Sequence, residues 1–304
     1  MSAESSPSLS WNLGHDIGRL FEYHFMINAL LAGSAAAVLA AAAGWMMVLR
    51  HETFAGHTLA VMSFPGAAAA ALAGVPAAVG YLAFCSSGAL AIARLPRGGG
   101  WREESAGTGA VQALALALGF LFVSLYGGVL GDLESLLFGD VLGVSDGQVL
   151  ELAVLAALTL AVLAAIGRPL LFASVDPVVA ASRGVPVARL SSGFLLLLGL
   201  AVAATSQVTG PLLVLALLVM PAASAQALSA RPLVSLALSI AIGLLVVWVS
   251  LAASYYSVYP PGFFIGAVAF AGWLLARGTA ALRGRRRRPA LAARLTGSPP
   301  GAPA

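Results

Sequence analysis

The sequence predicts an all-α membrane protein, a polytopic helical bundle of about eight or nine transmembrane helices. Nine apolar stretches, each roughly 17–25 residues long, fill residues 24–282, and about 20 such residues cross a bilayer core as a helix. Almost no charge falls inside these stretches. Only helices and closed barrels satisfy every backbone polar group in lipid, and the stretches are too long and continuous for barrel strands. We therefore expect a protein that moves or senses something across a membrane.

Composition supports the same class of protein. Of the 304 residues, 60% are hydrophobic and 9% are charged, whereas about 25% are charged in soluble domains. The net charge of +4 does not indicate nucleic-acid binding, because the arginines lie between spans and not on one face. The single cysteine, Cys85, lies in an apolar span, so the sequence has neither a disulfide framework nor a cysteine metal cluster.

The spans follow one another with mostly short links. We place them near residues 24–49, 57–74, 75–94, 108–130, 147–167, 189–207, 209–228, 232–254 and 262–282. The links between the second and third spans, and between the sixth and seventh, are so short that each pair is either a tight hairpin or a broken helix. Merging one of these pairs would reduce the count to eight.

Arginines predict the orientation of the bundle, because short cytoplasmic loops carry an excess of basic residues. In the nine-span arrangement one side holds Arg50, Arg94, Arg97, Arg102, Arg168, Arg183, Arg189, Arg231 and the arginines at 277–288. Only Arg19 falls on the opposite side, where the loop 131–146 is acidic. The amino end is therefore expected outside and the carboxyl end in the cytoplasm.

Two terminal segments flank the predicted transmembrane domain at 24–282. Residues 1–23 place Trp11, Ile17, Leu20 and Phe21 on roughly one helical face, which is typical of an interfacial helix that lies along the membrane. Residues 283–304 form a basic cytoplasmic tail. Its RGRRRR run is expected to contact anionic lipid, and the tail to be disordered.

The cytoplasmic loop FASVDPVVAASRGVPVARL, between the fifth and sixth spans, is unusually long for a helical bundle. Asp176 and the proline that follows it are typical of a helix start, since the carboxylate can cap free amides. Ala180 and Ala181 follow, and Gly184 occupies a position suited to a helix end. These features predict a short helix parallel to the membrane surface, either as a docking element for a cytoplasmic partner or as an ordinary loop.

At this loop the sequence resembles the permease subunits of the metal-type ABC importers, which carry manganese, zinc or iron into bacteria. Asp176, Ala180 and Gly184 match the family's loop, which inserts into a cleft of an ATPase. The resemblance runs from about residue 21 to 280, through the segments FEYHFMINALLAG, GWMMVLRHETFAGHTLAVMSFPG, SLLFGDVLGVSDGQVL, TGPLLVLALLVMPAASAQAL and YYSVYPPGFFIGAVAF.

The resemblance implies a multi-pass protein of the bacterial cytoplasmic membrane that is not itself an enzyme. It further implies a homodimer of permeases, a separate ATPase that binds ATP, and an extracytoplasmic metal-binding protein. The chain lacks a GxxxxGK[ST] phosphate loop, which fits ATP hydrolysis on another subunit, and it has no HExxH or GxSxG motif with supporting context. No catalytic residue and no resident cofactor are expected.

His57, at the start of the second span, is the candidate metal ligand. The family commonly has a carboxylate at this position and a histidine four residues later, on the same helical face, where this chain has Val61. An imidazole can bind manganese, iron or zinc, or it can be satisfied structurally by a backbone carbonyl. His51 and Glu52 are expected in a solvated turn. Asp132 and Glu134 are expected to guide a cation, to dock a binding protein or to belong to a solvated loop. Asp140 is expected to form a turn or a helix cap and not to be a ligand.

Small residues and prolines predict where the transport pathway runs. The second span carries a strip that favours close helix packing, formed by Gly66, Ala70 and Gly74. Prolines interrupt the second span and flank the hairpin of the sixth and seventh, at Pro65, Pro211 and Pro221. Freed backbone groups are tolerated where protein or a water-filled path receives them, so we expect the pathway along these three spans, with plain packing kinks as the alternative.

Three other functions compete with import of a divalent ion. A permease for a metal chelate such as haem or a siderophore is favoured by Val61 in place of a second histidine. An ion-coupled secondary transporter would need membrane-buried carboxylates, whereas every Asp and Glu here falls in a loop or at the end of a span. The third alternative is a membrane anchor or sensor that transports nothing.

Overall fold

The computed structural model describes residue 18 and residues 21–95, 101–126, 139 and 141–296, without the side chains of 101, 102 and 284–296. Most of the predicted interfacial segment 1–23 therefore lies outside the described residues. Asp132, Glu134 and Asp140 of the predicted acidic loop, and the last part of the tail, lie outside them as well.

The described residues form nine helices and no strand, so the prediction of an all-α fold is confirmed. The helices are α1 (His24–Leu49), α2 (Thr53–Ala73), α3 (Ala77–Ala93), α4 (Trp101–Leu125), α5 (Asp146–Val175), α6 (Pro177–Ser182), α7 (Val187–Leu228), α8 (Pro232–Tyr255) and α9 (Pro261–Thr296). Seven of them are long and apolar enough to cross a membrane, and α3 is a shorter apolar helix.

Helix α7 folds back on itself at Gly210, which has a φ of 70° and a ψ of 166°. Near its start, Ser191 accepts a hydrogen bond from Arg50, and near its end, Gln226 donates one to the Trp45 carbonyl oxygen. Both partners lie at the same end of α1, whereas a straight helix would separate Ser191 and Gln226 by about 50 Å. The sixth and seventh predicted spans are therefore a tight hairpin, with arms at 187–209 (α7a) and 211–228 (α7b).

Helix boundaries differ from the prediction at the ends of α5 and α9. Helix α5 continues to Val175 through Pro169, past the expected end at 167, so the long loop shrinks to 176–186. A proline is tolerated inside a transmembrane helix because neighbouring groups satisfy the freed carbonyl. Helix α9 continues to Thr296, into the tail that was expected to be disordered, in a segment rich in the strong helix formers Ala, Leu and Arg.

The prolines expected to interrupt the second span or to flank the hairpin lie in different backbone settings. Helix α2 is one helix through Pro65, and α7b is one helix through Pro221. The break in the backbone occurs at Gly210, next to Pro211, because glycine reaches a positive φ that other residues rarely adopt.

The small-residue strip of α2 is confirmed at two of its three positions. A Cβ at Gly66 would lie 2.6 Å from the Gly80 carbonyl oxygen of α3, and a Cβ at Gly80 would lie 2.9 Å from the Ala70 Cβ. Gly74 has a different role, since it ends α2 with a φ of 66° and no other atoms are close to it. Helices α2 and α3 therefore pack backbone to backbone as a hairpin.

Candidate functional site

His57 lies in the second turn of α2 and is half-buried. Its Nδ1 atom is buried and has no hydrogen-bond partner among the described residues. No backbone carbonyl among the described residues therefore holds this nitrogen. Val61, one turn further along, is half-buried and packs against the hydrophobic core.

A single imidazole supplies one nitrogen to a metal ion, whereas divalent transition metals commonly take four or more ligands. Within the part of the chain that the structure describes, no three His, Cys, Asp or Glu side chains come together in a way that could hold a metal ion. His57 alone is therefore an incomplete site in one copy of the chain. Its free nitrogen could still contact a passing ion or a ligand that another chain completes.

Two of the other polar residues near this site have different environments. His51 is exposed in the turn between α1 and α2 and has a φ of 57°, as expected for a turn. Glu52 was expected to be solvated, but its side chain is only 22% exposed and its Oε1 lies 2.8 Å from Arg50 Nη2. The sequence could have indicated this pair from its spacing, which suits a short turn between two helices.

The predicted surface helix is α6, and its start and end are built as the sequence indicates. Asp176 Oδ1 accepts a hydrogen bond of 2.9 Å from the Val179 amide, and Pro177 occupies the first turn. At the other end Gly184 has a φ of 78°. The Gly184 amide donates to the Ala181 carbonyl and the Val185 amide to the Ala180 carbonyl, which is the pattern of a Schellman motif. We call residues 176–186 the coupling segment.

The exposed surface of the coupling segment includes apolar valines beside the exposed Ala181, Ser182, Arg183 and Gly184. Val178 is 77% exposed and Val179 is 42% exposed, and Val175 just before the segment is 74% exposed. Ala180 is completely buried against the bundle, so it does not contribute to an outer small-residue surface. Gly184 is exposed and a Cβ there would meet no atom within 4 Å.

Helix α2 and arm α7a, two of the three segments expected to carry the pathway, contact each other close to the turn of the hairpin. Ser206 of α7a donates a hydrogen bond of 3.0 Å to Ser63 of α2, and both side chains are completely buried. Pro65 lies close to this contact in sequence, whereas Pro211 lies at the turn of the hairpin and Pro221 within α7b. The three prolines therefore belong to helices that contact each other, but the prolines themselves lie at separate places along these helices.

The opposite end of the bundle carries a polar group formed by residues of two helices. His24 Nε2 lies 2.8 Å from Asp146 Oδ1, and Asn28 donates a hydrogen bond of 2.6 Å to the same oxygen. His24 and Asp146 are largely exposed, as expected for the end of a span. Their contact joins the start of α1 to the start of α5.

The fold and the site together define a polytopic membrane permease with a short, capped surface helix at the arginine-rich end of its bundle. The chain belongs to the ABC 3 transport family, whose model matches residues 22–277. The family predicted from the sequence, the metal-type ABC permeases, is therefore confirmed.

Several curated relatives of the chain are named as transport proteins. The chain is 30% identical over 247 residues to the manganese transport system membrane protein MntC of Halalkalibacterium halodurans. The aligned residues cover 81% of this chain and 83% of that protein. It is 28% identical over 212 residues to a probable iron transport system membrane protein of Haemophilus influenzae, covering 68% of this chain and 76% of that one.

Solved structures share the fold. The structure of PsaBC from Streptococcus pneumoniae in complex with Fab matches with a TM-score of 0.77 at 26% identity, covering 87% of this chain and 95% of the matched chain. An inward-facing putative metal-chelate type ABC transporter matches with a TM-score of 0.65 at 18% identity, covering 82% of this chain and 85% of that one. The second likeness concerns the fold alone.

Proposed function

We propose that this chain is the membrane-spanning subunit of an ATP-driven importer that translocates a divalent transition metal ion, manganese, zinc or iron, as its substrate. Relatives named for manganese and iron transport support this cargo. The chain would lie in a bacterial cytoplasmic membrane with its carboxyl end in the cytoplasm. It would hydrolyse no ATP itself and would bind no nucleic acid.

The observation that carries the proposal is the coupling segment. Helix α6 is capped at both ends yet exposes apolar valines at the arginine-rich end of the bundle. Exposed apolar surface outside the bilayer favours contact with another protein. A cleft on a separate ATPase would cover this surface, with Asp176, Ala180 and Gly184 fixing the backbone of the inserted helix. Closure of the ATPase dimer on ATP would then move the segment and open the opposite side.

The incomplete site at His57 supports a pore formed by two copies of the permease. Two copies would place two His57 side chains at one pathway and double the number of ligands. An extracytoplasmic metal-binding protein would deliver the ion to the outer face. Anionic lipid would contact the arginines beyond residue 283.

Val61 favours a second candidate, a permease for a metal chelate such as haem or a siderophore. A chelate arrives with its metal already ligated, so its pathway needs shape and apolar contact more than a second histidine. This candidate keeps the fold, the ATPase and the coupling segment and changes only the cargo.

Reconstitution into proteoliposomes tests the proposal. The chain, the co-expressed ATPase and the binding protein from flanking genes would be supplied with Mn²⁺, Zn²⁺ or Fe²⁺. We expect uptake of at least one ion with ATP and none with a non-hydrolysable analogue. Uptake of haem or a ferric siderophore alone would favour the chelate permease. Uptake driven by a proton or sodium gradient without ATP would reject the proposal.

A further inference from the structure

The guanidinium of Arg50, at the end of α1, contacts four other side chains. Its Nη2 lies 2.8 Å from Glu52 Oε1 and donates 2.7 Å to Ser191 Oγ, and its Nη1 donates 3.0 Å to Ser174 Oγ. Its Cζ lies 5.3 Å from the centre of the Phe194 ring. The Arg50 side chain is only 8% exposed, so these contacts replace most of the water around its charge.

The two serines lie on either side of the coupling segment. Ser174 is in the last turn of α5, just before residue 176, and Ser191 is in the second turn of α7, just after residue 186. A planar guanidinium can bind both at once because its five N–H groups point in fixed directions. One side chain therefore holds both ends of the segment at a common point.

The same guanidinium is joined to the start of the helix that carries His57. Glu52 is the residue that precedes α2, and its carbonyl oxygen accepts a hydrogen bond of 3.0 Å from the Gly56 amide. Glu52 Oε1 also accepts a hydrogen bond of 3.2 Å from Arg50 Nε, so the carboxylate is bound by two nitrogens. Both bonds go to the one oxygen, Oε1, and these charge-assisted contacts restrain the turn between α1 and α2 relative to α5 and α7.

We propose that Arg50 is a positioning residue that carries movement of the coupling segment to the start of α2. When the segment moves, Ser174 and Ser191 move the guanidinium, and the guanidinium moves Glu52 with the first turn of α2. The residue touches no cargo and no nucleotide. This inference rests on the proposed function, because it concerns the coupling of ATP hydrolysis to transport.

The double variant Ser174→Ala with Ser191→Ala tests the inference without leaving a buried charge unpaired, since the Arg50–Glu52 ion pair remains. In the reconstituted complex we expect basal ATP hydrolysis to stay within about twofold of the wild type. The binding protein loaded with Mn²⁺, or with the ion that the wild type transports best, stimulates ATP hydrolysis. We expect this stimulation to fall by about tenfold, because hydrogen bonds to a charged group are lost. Metal transported per ATP hydrolysed should fall with it.

Ser87→Ala with Ser124→Ala is the matched control, because these exposed hydroxyls donate to carbonyls of their own helices, Phe84 and Leu121. We expect it to transport like the wild type. Ser174→Thr with Ser191→Thr keeps both hydroxyls and should restore stimulation. The Arg50→Lys variant keeps the charge, but its single ammonium cannot bond both serines, so stimulation of ATP hydrolysis should be lost. Adding the serine substitutions to Arg50→Lys should reduce the stimulation no further.

The outcomes separate the inference from the proposed function. Normal coupling in the Ser174→Ala, Ser191→Ala variant, in a complex whose wild type imports metal with ATP, would overturn the role of Arg50 alone. A loss of coupling that the threonine pair fails to restore would also overturn it. A wild-type complex without ATP-dependent import would reject the proposed function and this inference together.

Discussion

Gly44 of α1 packs directly against the backbone of Leu218 in α7b. A Cβ at residue 44 would overlap the Leu218 carbonyl oxygen and lie 2.9 Å from the Leu218 Cα. Lipid tails are as apolar as leucine, so helices in a membrane associate through close van der Waals contact, which small residues permit. The Gly44–Leu218 contact therefore sets how closely the first helix approaches the returning arm of the hairpin.

We expect Gly44→Ala to destabilise the folded permease by about 1–3 kcal/mol, the usual cost of overpacking, because the Leu218 backbone cannot move away as a side chain can. Gly193→Ala is the matched control in α7a, where a Cβ would meet no atom within 4 Å. It should be neutral or slightly stabilising. Thermal unfolding in detergent measures both, and equal stability of the two variants would contradict this packing.

Fusions to reporter proteins should reveal the orientation predicted from the arginines. A reporter protein that works only in the cytoplasm should be active when fused after Gly284. A reporter protein that works only after export should be active when fused near Ser145. The reason is the concentration of arginine at one end of the bundle, which short loops retain in the cytoplasm. The opposite pattern at either site would contradict the orientation of the spans between them.

Gly184→Trp should leave the protein in the membrane but abolish stimulation of ATP hydrolysis by substrate. The residue is exposed at the end of α6, so an indole ring would block a cleft that receives the coupling segment. Gly184 also has a φ of 78°, which strains most side chains. Gly184→Asn controls for this strain, since asparagine tolerates a positive φ, and should keep most of the stimulation. Equal activity of the two variants would show that bulk at Gly184 does not matter.

Substitutions of His57 should distinguish a ligand from a structural hydrogen-bonding group. If His57 touches the ion, His57→Asp should retain uptake with a changed metal preference, because a carboxylate also binds hard cations. His57→Gln ligates poorly and should lose at least about tenfold in uptake. Radioactive metal uptake, normalised to the amount of permease in the membrane, provides the measurement.

The control for His57→Asp and His57→Gln is whether each variant is folded, which thermal unfolding measures. Retained uptake in His57→Gln together with misfolding of His57→Asp would identify a structural role. That result would remove His57 from the pathway and favour a chelate as the cargo.

The sequence by itself determined the class of this protein and its local signals. Length and lack of charge in the apolar stretches are enough to indicate helices that cross a bilayer, because lipid leaves the backbone no other partners. Asp176 and Gly184 likewise indicated the two ends of α6, since capping depends on residues next to each other in the chain. Five ordered segments sufficed to recognise the family.

Tertiary structure alone decided which interruptions are real and which polar groups meet. Pro65 and Pro211 both indicated an irregular backbone, yet α2 continues through Pro65 whereas α7 turns back at Gly210, next to Pro211, because the packing of neighbouring helices determines whether a helix tolerates a proline. The ring of contacts around Arg50 joins residues more than a hundred positions apart, which no local pattern records. His57 was a candidate from its position, but its unpartnered Nδ1 is visible only once the surrounding helices are in place.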